Sequence, residues 1–331
     1  TYGYKNLYFA EFNAGYNGSE QFAKGQRYGF FPSVSGSWVI SSERFMQDVH
    51  FMDLLKLRAS YGQVGNDRLG SKRFLYLDDI QRAGGGYSPS LGVGATISES
   101  YIGNPNIKWE IADKVNLGLE LGLFRQLNLT VDVFSEKRSN VLISRGMVPM
   151  ITGIAEGVRP PANMGIVENK GYEIELKYNK RFANSLSIFS NLNFNRAANK
   201  VVFMDEPMLS DDYAYRYRQT GYPIGQHFGY VADGFFGSQE EIDQYAPYAI
   251  GRNPRPGDLK YVDVNNDGVI NDRDIAPIGH SMVPTYTYGA ALGISYKGFS
   301  VSALFQGVAG VSMYLSDIGV YETYDFRARM L

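Results

Sequence analysis

"VNLGLELGLFRQLNLTVDVF", residues 115–134, alternates with a period of two. Val115, Leu117, Leu119, Leu121 and Leu123 fall on one side of an extended chain, and Asn116, Gly118, Glu120 and Gly122 on the other. Past Arg125-Gln126 the pattern resumes, with Leu127, Leu129, Val131 and Val133 against Asn128, Thr130 and Asp132. The same alternation sets Leu55, Leu57, Ala59 and Tyr61 against Lys56, Arg58 and Ser60. It recurs with Tyr172, Ile174, Leu176 and Tyr178 against Glu173, Glu175, Lys177 and Asn179. No helical period competes over a comparable span, so the chain reads as all-β.

Composition narrows the class. The 331 residues carry 32 Lys and Arg against 34 Asp and Glu, a formal net charge of -2, so bulk charge points to neither nucleic acid nor an anionic membrane surface. There is no cysteine, which removes disulfides, zinc thiolate sites and thiol catalysis and leaves the redox compartment open. Twenty-five Tyr and twenty Phe are many for this length, while His50, His227 and His280 form no spaced pair and read as ordinary polar residues. No apolar run is long enough for a transmembrane helix. A mean hydropathy of -0.24 still allows a membrane barrel, because barrel strands alternate. The opening "TYGYKNLYFAEF" has no signal-peptide pattern, and the chain is expected to be mature or an internal piece.

Strands are predicted over about 6–16, 28–41, 54–65, 109–124, 127–138, 166–181, 185–199, 285–297 and 299–313. The links after the second, fourth, sixth and eighth are short, namely 42–53, Arg125-Gln126, 182–184 and Gly298, while the other links are mostly longer and end with 200–284. Alternate links of an up-and-down antiparallel sheet lie on the same side. Tight turns therefore sit at one end and large loops at the other, as in an outer-membrane barrel. On "TYTYGAALGISYKG" one face runs Tyr286, Tyr288, Ala290, Leu292, Ile294, Tyr296. Ten steps of about 3.3 Å, tilted by about 40°, project to roughly 25 Å, the height of an apolar band between aromatic girdles. A soluble β-sandwich alternates too, so a secreted, calcium-stabilised sandwich that binds glycan or acts as an adhesin is the alternative.

Several stretches, in order, carry a family resemblance. They are "NGSEQF" (17–22), "FPSVSGSWVISSERFM" (31–46), "LKLRASYGQVGND" (55–67), "NPNIKWE" (104–110) and "NMGIVENKGYEIEL" (163–176), followed by the long segment from "GDLKYVDV" to "FQGVAG" (257–310). Together they resemble the SusC/RagA family of TonB-linked outer-membrane transporters of Bacteroidetes and span most of the chain. The resemblance implies a large transmembrane barrel holding a plug and energised through TonB–ExbB–ExbD. It also implies a SusD-like lipoprotein as a lid, an oligosaccharide or peptide as cargo, and outer-membrane lipid around the wall. On this reading residues 1–331 are a later part of the barrel. Plug, TonB-contacting segment and closing strands lie outside it, because open sheet edges in hydrocarbon leave backbone groups unpaired at several kcal/mol each.

Two candidate sites fall in the long loop 200–284, which this layout places outside the cell. "DVNNDGVINDRD" (263–274) has calcium-loop spacing. Asp263, Asn265 and Asp267 stand at positions 1, 3 and 5, Gly268 at the turn, Val269 offers a carbonyl, Ile270 is apolar, and Asp274 stands at position 12. Asp274 in place of the usual Glu is similar to dockerin-type loops. At an extracellular site an affinity on the order of 10⁻⁴–10⁻³ M for Ca²⁺ is sufficient. A metal-free Asn-Asp-Gly turn is the alternative. In "DDYAYRYRQTGYP" (211–223), Tyr213, Tyr215, Arg216, Tyr217 and Arg218 suit stacking on and hydrogen bonding to a sugar or peptide, and equally suit packing against plug or lid.

Glu120, Asp132, Glu173, Glu175 and Lys177 are lumen-facing by alternation. Glu173 and Glu175 have no readable partner for acid-base work, and no enzyme is expected. "GNDRLGSK" (65–72) has Ser and Lys in the wrong order for a phosphate loop and opens no helix, and "GVGATI" (92–97) lacks a third glycine.

Overall fold

A computed structural model describes residues 1–70, 73–88, 92–148, 150–154, 156–207, 210, 218–251 and 253–314. The strands are β1 (Tyr2–Tyr4), β2 (Tyr8–Gly18), β3 (Tyr28–Val39), β4 (Met52–Asn66), β5 (Asp79–Ser88), β6 (Gly92–Tyr101), β7 (Glu110–Leu123) and β8 (Leu127–Ile143). They continue with β9 (Ala162–Arg181), β10 (Leu186–Phe203), β11 (His227–Tyr230), β12 (Ala232–Phe235), β13 (Leu259–Tyr261), β14 (Ile275–Ile278), β15 (Tyr286–Tyr296) and β16 (Phe299–Ala309).

Ten of these form one antiparallel sheet in the order β1-β2-β3-β4-β7-β8-β9-β10-β15-β16. Each of the nine predicted strands is present, and the short β1 adds a tenth at one edge. The sandwich alternative required two sheets packed face to face. Among the described residues a single ten-stranded sheet is found instead, and its ends do not meet, so the barrel is not closed within this chain. Among the described residues no helix is long and apolar enough to cross a membrane.

Register carries the alternation across strands. Leu55, Leu121, Leu129, Leu176, Leu192, Ala290 and Phe305 stand side by side along one hydrogen-bonded row. The neighbouring row on the opposite face runs Lys56, Glu120, Thr130, Glu175, Asn193, Gly289, Gln306. A one-residue slip would exchange the two faces along a whole strand, so each apolar row fixes the pairing.

The links 40–51, 124–126, 182–185 and 297–298 leave one end of the sheet, and 19–27, 67–109, 144–161 and 204–285 leave the other. The tight end tolerates strain. Phe124 and Arg125 both have positive φ in a primed turn closed by Gln126 N–H to the Leu123 carbonyl (3.0 Å). Neither residue favours that conformation. The turn is held by Phe124 N–H to Phe51 O (2.8 Å), at the end of the preceding link, and by Arg125 N–H to the carboxylate of Asp53 on β4. At the far end the longest links fold further. β5 and β6 make a hairpin, and 224–282 contains the pairs β11–β14 and β12–β13. None of these short strands was expected from the sequence.

Candidate functional site

Three features stand out: a polar wall along the middle of the sheet, and a buried collar and an acidic loop at the end where the longest links leave.

The wall begins with the glycine of the opening stretch. Arg58 on β4 stands opposite Gly118 on β7, which stands opposite Asp132 on β8. A Cβ at Gly118 would lie 2.7 Å from Arg58 Nε and 2.8 Å from Asp132 Oδ1. The missing side chain lets Arg58 reach over a whole strand, and its Nη2 donates to Asp132 Oδ2 at 2.7 Å. Arg58 Nε lies 3.0 Å from Glu120, an ion-pair contact without hydrogen-bond alignment, and Lys56 approaches the same carboxylate at 3.6 Å. Farther along, Asn195 donates to Glu173 (2.8 Å) and Lys177 pairs with Glu175 (2.7 Å). The wall is polar, cross-linked and close to charge-balanced. Each such exposed pair contributes about 0.2–1 kcal/mol, so the row sets polarity more than stability.

The collar was not anticipated. Phe22, Phe31, Leu75, Tyr101, Ile107 and Trp109 form a buried apolar cluster, and they come from four separate segments. Trp109 tilts onto Phe22 (5.3 Å between ring centroids), meets Phe31 edge-on (5.2 Å), and donates its indole N–H to Arg27 O (3.1 Å). Asn163 replaces a missing strand neighbour: its Oδ1 accepts from Lys108 N–H, and its Nδ2 donates to the carbonyls of Lys108 and Asn140. The segments "NGSEQF", "FPSVSG", "NPNIKWE" and "NMGIVENKG", far apart in the chain, thus supply one continuous packing unit. The long links are then laced in turn. Ile102 N–H donates to Val158 O (3.1 Å), and Arg145 Nε donates to the buried Asp205 (2.9 Å). A sequence signal existed in the order of these motifs, but only contact across the mouth shows what it means.

The acidic loop is a tightly wound turn. Asn266 and Gly268 have positive φ, and Gly268 N–H donates to Asp263 Oδ2 at 2.7 Å. Ile270 is fully buried and brackets Tyr248 through bonds to Pro247 O (2.9 Å) and from Ala249 N–H (2.8 Å). The ligand candidates are otherwise engaged. Asp263 accepts from Asp267 N–H, and Asp267 Oδ2 accepts from the amides of Asn265 (3.0 Å) and Asn271 (3.3 Å). Asp274 is fully buried, with one oxygen on Val264 N–H (2.8 Å) and the other on Asn271 N–H (2.7 Å). Asn271, passed over in the sequence, also donates to the Val269 carbonyl (3.2 Å). The oxygen donors fit a hard cation in kind. Among the described residues, however, no three acidic or imidazole groups gather round one point. The Asn265 amide, followed by Val269 N–H, holds the Asp267 carboxyl below the usual range.

Arg218 is exposed; Tyr213, Tyr215, Arg216 and Tyr217 lie outside the described residues.

Residues 4–328 match the family model described as TonB dependent receptor-like, beta-barrel. The chain belongs to this family. Its members are outer-membrane barrels, which accounts for one face apolar and the other wet. TonB-dependent receptors P26 and P3 of Formosa agariphila are 31% and 30% identical over 326 and 320 residues, covering 95% and 94% of this chain. The TonB-dependent receptor SusC of Bacteroides thetaiotaomicron is 27% identical over 282 residues, 83% of this chain and 27% of its own. The chain spans 31% of the length of each Formosa receptor. Among solved structures, the RagAB peptide transporter superposes with a TM-score of 0.71 at 23% identity, over 93% of this chain and 32% of that one. That likeness establishes the shared barrel fold.

Proposed function

We propose that this TonB-dependent receptor barrel imports an oligosaccharide or peptide nutrient across the outer membrane, with a SusD-like lipoprotein over its mouth. Energy would reach it from TonB–ExbB–ExbD through a segment outside these residues. The carrying observation is the polar row from Lys56 to Gln306, backed by an apolar row in register, with the three longest links, 67–109, 144–161 and 204–285, at the same end. A wet, cross-linked wall under a laced mouth suits a solute too large for a simple pore. The name of the RagAB peptide importer, a solved structure of the same fold, supports a peptide within that cargo class.

On this reading 67–109, 144–161 and 204–285 face the cell exterior. Gly86→Cys should react with an impermeant thiol reagent on intact cells, while Asn184→Cys should not. Uptake of the cargo should stop when the proton-motive force is collapsed. Uptake that continues unchanged after collapse would identify a passive pore and overturn the reading.

The 263–274 loop is part of the same proposal. Asp263, Asn265, Asp267, the Val269 carbonyl and Asp274 would hold Ca²⁺ once the Asn271 amide leaves Asp267 and Val269. Chelation or Asp267→Ala should raise protease sensitivity within 204–285 while the barrel keeps its heat-resistant migration on gels. Equal resistance with and without chelator would make the loop a metal-free turn.

A further inference from the structure

Residues 224–282 are closed by their own neck. β11 pairs with β14, Ser281 Oγ donates to Ile224 O (2.6 Å), and Met282 N–H donates to Gly225 O (3.1 Å). Beyond the neck the segment has its own core. Phe236 and Ile270 are buried, Tyr245 stands edge-on to Phe236 (5.3 Å), and Tyr248 lies 5.9 Å from both Phe236 and Tyr261. An open cleft of about 570 Å³ lies on this core, lined by Phe235, Tyr248, Ile250, Pro254, Asp258 and Leu259 among others.

Its walls are set before any ligand arrives. Tyr248 Oη accepts from Tyr261 N–H (2.7 Å) and donates to Leu259 O (3.1 Å). The phenol thus occupies the edge of β13 that faces away from β12, and a peptide cannot add there as a strand. Phe236 N–H bonds to Asp258 O (3.0 Å), and Asp258 Oδ2 takes Arg255 N–H (2.9 Å), which orients the carboxylate. At the rim Phe235 is 67% exposed, at the end of β12 where it pairs with Leu259 of β13.

We propose that this cleft binds a neutral sugar unit, with one C–H face of the ring against Phe235 and hydroxyl groups donating to Asp258. A flat apolar surface beside a fixed acceptor suits a ring that is apolar on its faces and hydroxylated at its edge. An anion would face Asp258 directly. A purely apolar ligand would leave that carboxylate desolvated and unpaired. A divalent cation would find only one carboxylate among the named lining residues. Binding here does not depend on import, because the neck and core belong to the segment itself.

The test uses the full-length protein in detergent on an array of neutral α- and β-linked hexose and pentose oligosaccharides, with short peptides on the same surface. The wild type should retain at least one saccharide class. Phe235→Ala and Asp258→Asn should each weaken that binding by about tenfold or more. Protease resistance of 224–282 reports folding. If Phe235→Ala loses it, Phe235→Leu keeps the apolar bulk without the flat ring and should still lose binding. No retained saccharide, retention equal in both variants, or retention of peptides in place of saccharides overturns the proposal. Uptake is measured separately in cells. Array binding without energised uptake refutes import and leaves the cleft standing, and the converse does the reverse.

Discussion

Leu192 and Asn193 are consecutive on β10, yet an arginine at one should be costly and at the other nearly free. Leu192 stands between Leu176 and Ala290 in the apolar row. On β15, Ala290 is four steps from Tyr286 and six from Tyr296. At about 3.3 Å per step and a tilt of about 40°, that places it roughly 10 Å and 15 Å from the two aromatic levels. Leu192, one strand away, is therefore near mid-bilayer. Leu192→Arg should cost about 2–4 kcal/mol, or roughly 30- to 700-fold in the folding equilibrium. Asn193 stands between Glu175 and Gly289 on the wet face, so an arginine there gains a carboxylate neighbour and meets no facing side chain. Asn193→Arg should stay within about 0.5 kcal/mol. The assay is urea-dependent folding of the full-length protein into phospholipid vesicles, read as the heat-modifiable fraction on gels. Equal losses, or a larger loss from Asn193→Arg, would refute the assignment of faces.

Gly118→Ala should displace the Arg58 guanidinium from Asp132 at a net cost under about 1 kcal/mol. A double-mutant cycle should then show Asp132→Asn losing its effect in that background. Gly65→Ala would put a Cβ about 2.0 Å from the buried Phe31 ring, which is wedged against Trp109. Overpacking there should cost about 1–3 kcal/mol and open 67–109 to protease. Arg145→Ala leaves buried Asp205 without its guanidinium partner, keeping the Met147 N–H, and should cost on the order of 2 kcal/mol, seen as cleavage within 144–161. The Asp267 carboxyl lies below its unfolded value of about 3.9. Its contribution to loop stability is therefore present above about pH 3.9 and lost as pH falls through the folded value. Proteolysis of 263–274 should rise in that acid window in the wild type and be flat in Asp267→Asn.

Much of this molecule was legible in its residues because alternation is a local property. A period of two over Val115 to Val133 marks both strands and both environments without reference to anything distant, and the nine long strands were found that way. The primed turn at Phe124-Arg125 has no Asn or Gly to announce it, yet the patterns flanking it left room for nothing longer. The short pairs β5–β6 and β11–β14 were missed, being too brief or too rich in glycine to establish a period. The bend at Gly268 was also readable, since a glycine between Asx residues marks a tight turn within a dozen residues.

Tertiary structure alone decided the rest. Gly118 reads as a gap in a pattern until Arg58 and Asp132 close over it from two other strands. Phe22, Phe31 and the pair Ile107 and Trp109 lie in three separate motifs until the mouth brings them together, and Asn163 finds Lys108 only across that fold. Which residues touch across strands is set by register, and register follows from the summed burial of whole apolar rows rather than from any short stretch of chain.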